Sequence, residues 1–256
     1  MIHGDAVFHV DALPPGAAGR LDGPEGRHAA TVKRMRVGEH LVLSDGAGGL
    51  ARCAVTAVGK DVVDLAVEQV WHEPAPSPRV VLVQALVKGD RGELAVELAT
   101  EAGVDAVHPW QASRCVARWE DGPRGAKALA RWRATALQAA KQARRAWVPE
   151  VGEPLGTGQV AQLVRAAAAT LVLHEAATAG IGEVELPPDG DLLIVVGPEG
   201  GITQSEVDKL TEAGAVPVRL GPTVLRASTA GAVALGALGV LTGRWKTTGT
   251  SGESAR

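Results

Sequence analysis

Cysteine is nearly absent from this 256-residue chain: there are two, Cys53 and Cys115, and neither stands in a C-x-x-C or other metal-ligand spacing. A disulfide framework is thereby excluded, and both thiols are expected to be reduced and structural. The seven histidines are scattered, with no H-E-x-x-H and no i, i+4 pair, so no metal is expected. No apolar run reaches the length needed to cross a bilayer, so no membrane partner is expected. The N-terminus, with Asp5, His9 and Asp11, lacks the basic-then-apolar layout of a signal peptide, and the expected location is the cytoplasm. An excess of positive charge is missing as well: the formal net charge is -3 and the pI about 6.2. Binding of nucleic acid by bulk charge is excluded, and any such contact has to come from local patches. Internal repeats are not evident.

What is present is concentrated near the carboxyl end. The apolar run Leu192 to Val196 stops at Gly197, Pro198, Glu199, Gly200 and Gly201, which reads as a strand entering a glycine turn. Thr203 stands three residues before Glu206, the capping-box spacing that opens a helix. A second turn, Leu220-Gly221-Pro222, follows another short apolar segment, Val216 to Leu220. Glycines after a strand serve either a tight turn or the close approach of a ligand to the backbone. The stretch contains neither G-x-G-x-x-G nor G-x-x-x-x-G-K-[ST], so the usual dinucleotide and phosphate loops do not apply.

Along the chain, Ala6 to Val10, His40 to Ser44, Ala51 to Val58 and Val62 to Val70 are expected strands of a small N-terminal barrel. Within it, 26 to 36 is expected to be helical, with Lys33, Arg34 and Arg36 near its end. The proline-rich connector 73 to 78 marks a boundary between a domain at 1–73 and one at 79–246. Strand-like runs from Arg79, Val104, Ala166, Asp191 and Val216 alternate with helical patterns, which makes the second domain α/β. A long helix is expected from Gly125 to Trp147. Residues 111–150 hold nine basic and three acidic side chains, a stripe that is either a solvated helix face or an RNA track with Trp119, Trp132 or Trp147 available for stacking. The tail, 247–256, is expected to be disordered.

The pair VVGPEGGITQSE and LGPTVLRASTA, separated by one helix, resembles the signature of the RsmE family of ribosomal RNA uridine N3-methyltransferases, within the knotted SPOUT superfamily. The resemblance implies a PUA-like N-terminal RNA-binding barrel and a C-terminal α/β domain threaded into a trefoil knot. It further implies S-adenosyl-L-methionine as methyl donor, 16S ribosomal RNA or the small ribosomal subunit as substrate, and a homodimer. Arg226 is then the catalytic cation, with a brace to Glu199 as its structural alternative. The donor is expected on Leu173, Gly197, Pro198, Glu199, Gly200, Gly201, Leu220, Gly221, Leu225 and Thr229. Lys33, Arg34, Arg36, Arg91, Arg114 and Arg145 are the expected RNA contacts. The chain departs from the family pattern where LRTETA is LRASTA, which puts Ser228 in place of a carboxylate, and where Ser113 precedes Arg114 in place of a glutamate. A ribose 2'-O-methyltransferase of the same superfamily and a non-enzymatic RNA-binding ribosome-assembly protein remain the alternatives.

Overall fold

The computed structural model describes residues 4–246, and the tail expected to be disordered lies outside the described residues. The chain divides into two compact units, one of residues up to Ala75 together with Arg133–Glu150, the other of Pro76–Trp132 together with residues from Val151 onward.

The first unit is organised on a five-stranded sheet of β1 (Ala6–His9), β2 (Ala18–Leu21), β3 (His40–Ser44), β4 (Gly49–Gly59) and β5 (Val62–His72), in the order β1-β3-β4-β5-β2. β1 runs parallel to β3 and the remaining pairs are antiparallel. Alternate side chains leave opposite faces of a strand, and the sequence loads both. Phe8, Leu41, Leu43 and Leu65 enter one apolar cluster, while Val7, Val42 and Leu50 enter another. The short helix α1 (Gly23–Arg27) continues as a wider turn to Val32. The second cluster is completed by Ala146 and Trp147, which the chain brings back after a long excursion. Gly48 N–H donates to Ala146 C=O at 3.0 Å and Trp147 Nε1–H to Glu73 C=O at 3.0 Å.

The second unit is a parallel sheet with helices. Its strands are β6 (Arg79–Ala85), β7 (Ala106–Gln111), β8 (Glu150–Val151), β9 (Leu155–Gly156), β10 (Ala169–Leu173), β11 (Asp191–Val196) and β12 (Val216–Val218). The order is β12-β10-β11-β6-β7-β8, with β9 also paired to β7. β6 and β11 are near-continuous runs of Val, Leu and Ile because strands in the middle of a parallel sheet are covered on both faces. The helices are α2 (Arg91–Glu101), α3 (Pro123–Gln142), α4 (Thr157–Ala166), α5 (Gln204–Glu212) and α6 (Ala227–Leu241). α6 packs on α2, β6 and β11, with Gly231 admitting Leu82: a Cβ there would meet Leu82 Cδ2 at 3.1 Å. Mixed α/β architecture is therefore what the chain adopts.

Two expected helices end earlier than the sequence pattern implies. The helix expected over 26–36 ends at Val32, and Arg34 has φ 54°, so Lys33, Arg34 and Arg36 lie on a turn beyond it. The helix expected over 125–147 ends at Gln142, because Arg144 at φ 53° turns the chain toward the first unit's sheet. Residues 133–150, read with the second domain, are grouped with the first unit. α4 was not expected; it occupies the start of the run from Ala166 that reads as strand, and β10 begins three residues later at Ala169.

Candidate functional site

In an open parallel sheet the loops at the carboxyl ends of the strands converge, and ligands bind there. Here the loops after β7, β10, β11 and β12 and the start of α2 line a cleft of about 800 Å³. After β11, Gly197 allows the chain to fold straight back, since a Cβ there would lie 2.5 Å from Ile202 Cγ1. Gly201 N–H donates to Pro198 C=O at 2.9 Å and closes the turn, with Gly201 at φ 76°, a conformation that suits glycine. After β10, Leu173 is followed by His174 and Glu175, and after β12 the segment Arg219 to Arg226 forms the opposite wall.

Both glycine loops of the sequence reading therefore meet in one cleft, with Leu173, Gly197, Pro198, Glu199, Gly200, Gly201, Leu220, Gly221, Leu225 and Arg226 on its walls. Thr229 is not on the wall; its hydroxyl donates to Arg226 C=O at 3.1 Å and helps fix the first turn of α6. Arg226 is exposed, stands at the N-cap of α6 in extended conformation, and has no ion-pair partner among the described residues. The brace to Glu199 comes instead from Arg91, at a loose 3.9 Å. Arg114 donates through Nη1 to Gly200 C=O at 3.0 Å, which makes it a buttress of the glycine loop as well as a surface cation. Of the other basic residues singled out, Lys33, Arg34 and Arg36 are exposed on the first unit around buried Met35, and Arg145 also belongs to that unit.

Beneath the glycine loop lies a polar core that spacing alone did not reveal. Glu206, 4% exposed, accepts from Ser113 N at 2.9 Å, Ser113 Oγ at 3.0 Å, Thr157 Oγ1 at 2.9 Å, Thr203 N at 3.1 Å and Thr203 Oγ1 at 2.8 Å. Burial alone would raise its pKa, but the Ser113 and Thr203 donors, with Thr157, outweigh that and hold the carboxyl below its ordinary range. Thr157 in turn accepts from Trp110 Nε1 at 3.3 Å. The network ties the end of β7, the start of α4 and the start of α5 together, so the loop between β11 and α5 is held at its far end. Thr203–Glu206 was legible as a capping box; that the same carboxylate gathers Ser113 and Thr157 was not. Ser113, a departure from the family pattern, is thus one of its donors. Ser228, the other departure, is buried at 5% exposure.

His174, Glu175, Gln204 and Arg219 also line the cleft and were not singled out in the sequence. Their signal was position, each lying just past a strand end or at a helix start. Both cysteines are buried and free; burial, with Glu68 adding to it, pushes the Cys53 thiol up to about 11. Among the described residues no group of His, Cys, Asp and Glu is placed to hold a metal, and no helix is long and apolar enough to cross a membrane.

Comparison with known proteins agrees with this geometry. A family model described as an RNA methyltransferase domain matches residues 73–239, and one described as an RNA methyltransferase PUA domain matches residues 21–68. The chain is 56% identical over 93% of each chain to Ribosomal RNA small subunit methyltransferase E of Mycobacterium bovis. It is 34% identical to the Bacillus subtilis protein of the same name, over 85% of this chain and 88% of that one. A crystal structure of Ribosomal RNA small subunit methyltransferase E from Neisseria gonorrhoeae, bound to S-adenosyl methionine, superposes with a TM-score of 0.81 at 28% identity, covering 93% of this chain and 98% of that one. The chain belongs to the ribosomal RNA small subunit methyltransferase E family.

Proposed function

We propose that this protein transfers a methyl group from S-adenosylmethionine to N3 of a specific uridine in 16S ribosomal RNA, as a homodimer in the cytoplasm. The observation that carries the reading is the cleft at the strand ends, walled by two glycine loops and bearing an exposed Arg226 with no ion-pair partner among the described residues. Its chemistry fits the donor. Leu173, Val196, Leu220, Leu225 and Ala230 offer an apolar slot for an adenine ring, and the bare backbone at Gly197 to Gly201 and Gly221 offers amides and carbonyls to its edge. The cleft also carries Glu175 and Glu199 beside Arg91, Arg114 and Arg219, a mixed set suited to a ligand with a sulfonium, an ammonium and a carboxylate.

When bound, the cofactor supplies an electrophilic methyl group on a sulfonium. The chain's own part is to hold the two reactants in line and to make N3 of uracil nucleophilic. That nitrogen carries a proton, and as the proton passes to solvent water, negative charge spreads to the flanking carbonyl oxygens. In this reading the Arg226 guanidinium stabilises that charge, and the amino end of α6 behind it adds a partial positive charge. Ser228, buried at the position of the family carboxylate, contributes no base to the open cleft.

The finer fold belongs to the same reading: a PUA-like barrel and a SPOUT-type domain whose chain is threaded into a trefoil knot. β12 lies on the far side of β10 from β11, yet α6 returns over β11 and β6. On the way, Arg219 N–H donates to Ala179 C=O at 2.9 Å and Ile181 N–H to Arg219 C=O at 3.0 Å, so the returning chain runs alongside the 174–190 excursion. Such a path is among the rare exceptions to unthreaded topology. The homodimer is supported by the face of α6 that exposes Val233 at 47%, Val240 at 69% and Leu241 at 48%, beside Val224 at 78%.

Nucleoside analysis of 16S RNA incubated with the protein and the cofactor is the test. The expected product is 3-methyluridine, whereas a sugar-methylated nucleoside would assign the ribose reaction and no product with no cofactor binding would favour a pure RNA binder. Arg226→Ala is expected to lower turnover by about 10²–10³-fold, the cost of losing one charge-stabilising donor, with cofactor affinity in calorimetry unchanged within a few fold. Unchanged turnover would remove Arg226 from the mechanism.

A further inference from the structure

A second concavity in the same unit, about 590 Å³, shares two loops with the cofactor cleft. One wall is the turn that ends at Asp90, next to Arg91 of the cofactor cleft; another is the segment 117–120, a few positions after Arg114. The first turns of α3 close it. Trp119 lies half-buried in this groove, its ring set edge-to-face against Trp132 with centroids 5.0 Å apart and planes at 78°. Trp132 is itself immobilised: it is 2% exposed and stands against Gly92, where a Cβ would approach its ring to 2.8 Å. The exposed part of the Trp119 ring is therefore a braced aromatic surface rather than a mobile side chain.

The charges around it are unevenly committed. Arg131 is occupied by Glu93, Nε to Oε1 at 3.0 Å. Arg118 and Arg124 are exposed and have no hydrogen-bond or ion-pair partner among the described residues. Asp90 and Glu120 are also in the lining. A groove with as many carboxylates as guanidiniums is a poor site for a bare anion. It suits a ligand with a flat aromatic ring, N–H groups on that ring's edge for carboxylates to accept, and a negative group for guanidinium.

We propose that this groove is a nucleotide subsite, taking one nucleotide of single-stranded RNA near the target: base stacked on Trp119, base edge toward Asp90 or Glu120, phosphodiester on Arg118 and Arg124. The inference rests on the reading of the chain as an RNA methyltransferase. It gives the basic stripe of 111–150 one specific contact, since Trp132 is buried and unavailable for stacking.

Fluorescence anisotropy with a labelled short single-stranded RNA of mixed sequence tests it, with calorimetry of S-adenosylmethionine binding as control. Trp119→Leu is expected to weaken RNA binding roughly 5- to 100-fold, the range that loss of one base stack gives, while Trp119→Phe restores most of it. Arg118→Ala with Arg124→Ala, both at exposed positions, is expected to lower the salt dependence of RNA binding by about one unit of log–log slope. Cofactor affinity should stay the same in all of them. RNA binding by the native protein that is unchanged in both the Trp119→Leu and the double arginine variants overturns the subsite alone. Uridine or guanosine monophosphate bound as tightly as the oligonucleotide overturns it in favour of a free-nucleotide site. A native protein that takes the cofactor but binds no RNA overturns both the subsite and the reading beneath it.

Discussion

Glu206 is a negative charge out of water that is stable only because five donor contacts converge on its two oxygens. Glu206→Gln keeps the shape but turns an acceptor toward a donor, setting an amide NH2 against N–H or O–H groups. The expected cost is roughly 1–3 kcal/mol, from donors left unpaired, read as a lower melting temperature at neutral pH. The pH dependence has a definite sign. The folded-state pKa lies below the ordinary value, so this stabilisation is complete above the unfolded-chain pKa of about 4.3 and is lost as pH falls through the folded value. Native protein should lose melting temperature more steeply on acidification than Glu206→Gln, with the gap narrowing at low pH; parallel curves would show that the carboxylate is not depressed. In the loop above, Gly200→Val places a branched side chain where even a Cβ would meet Arg114 Cβ at 3.2 Å and Arg114 C=O at 3.4 Å. Loss of cofactor binding with the fold retained is expected in calorimetry, and retained affinity would move the cofactor elsewhere.

At the scale of elements, α1 shows how a short helix is held by what it lacks. A Cβ on Gly26 would come within 2.5 Å of Leu21 C=O and 2.6 Å of Asp61 C=O, both backbone and neither free to yield. Gly26→Ala should therefore destabilise the first unit by about 1–3 kcal/mol despite alanine's better helix propensity. A melting curve no lower than that of the native protein would contradict the close approach. The elements differed in how far the sequence disclosed them. β6 and β11 were plain because a strand covered on both faces must be apolar throughout, and Thr203–Glu206 was plain because a cap is a local device. α4 carries little local signal, since glycines flank its first residue at Gly156 and Gly158 and its capping is a side-chain contact, Gly156 N–H to Gln159 Oε1 at 2.9 Å. The end of α3 is not visible in the sequence because alanine-rich spacing continues past Gln142, whereas the turn at Arg144 and the packing of Ala146 and Trp147 that follows it are tertiary features. Apart from Leu173, the cleft residues named from the sequence come from two motifs, whereas Glu175 and Arg219 depend on which strands lie side by side, which no local pattern states.

For the whole molecule, the expected assembly is a dimer of twice 26.3 kDa. Sedimentation should show it, and Val233→Glu with Val240→Lys, both on the exposed side of α6, should shift it to the monomer. A native protein that sediments as a monomer at working concentration would remove the homodimer from the proposal.

The chain crosses between its two units at three places, after Ala75, after Trp132 and after Glu150. A fragment cut at the proline connector would leave behind the segment that supplies Ala146 and Trp147, and with it the cover for Val7, Val42 and Leu50. The amino-terminal unit is therefore not a cassette: recombination cannot graft or delete it as a contiguous exon-like block. Exchanging this unit whole between relatives requires moving two separated stretches of gene at once.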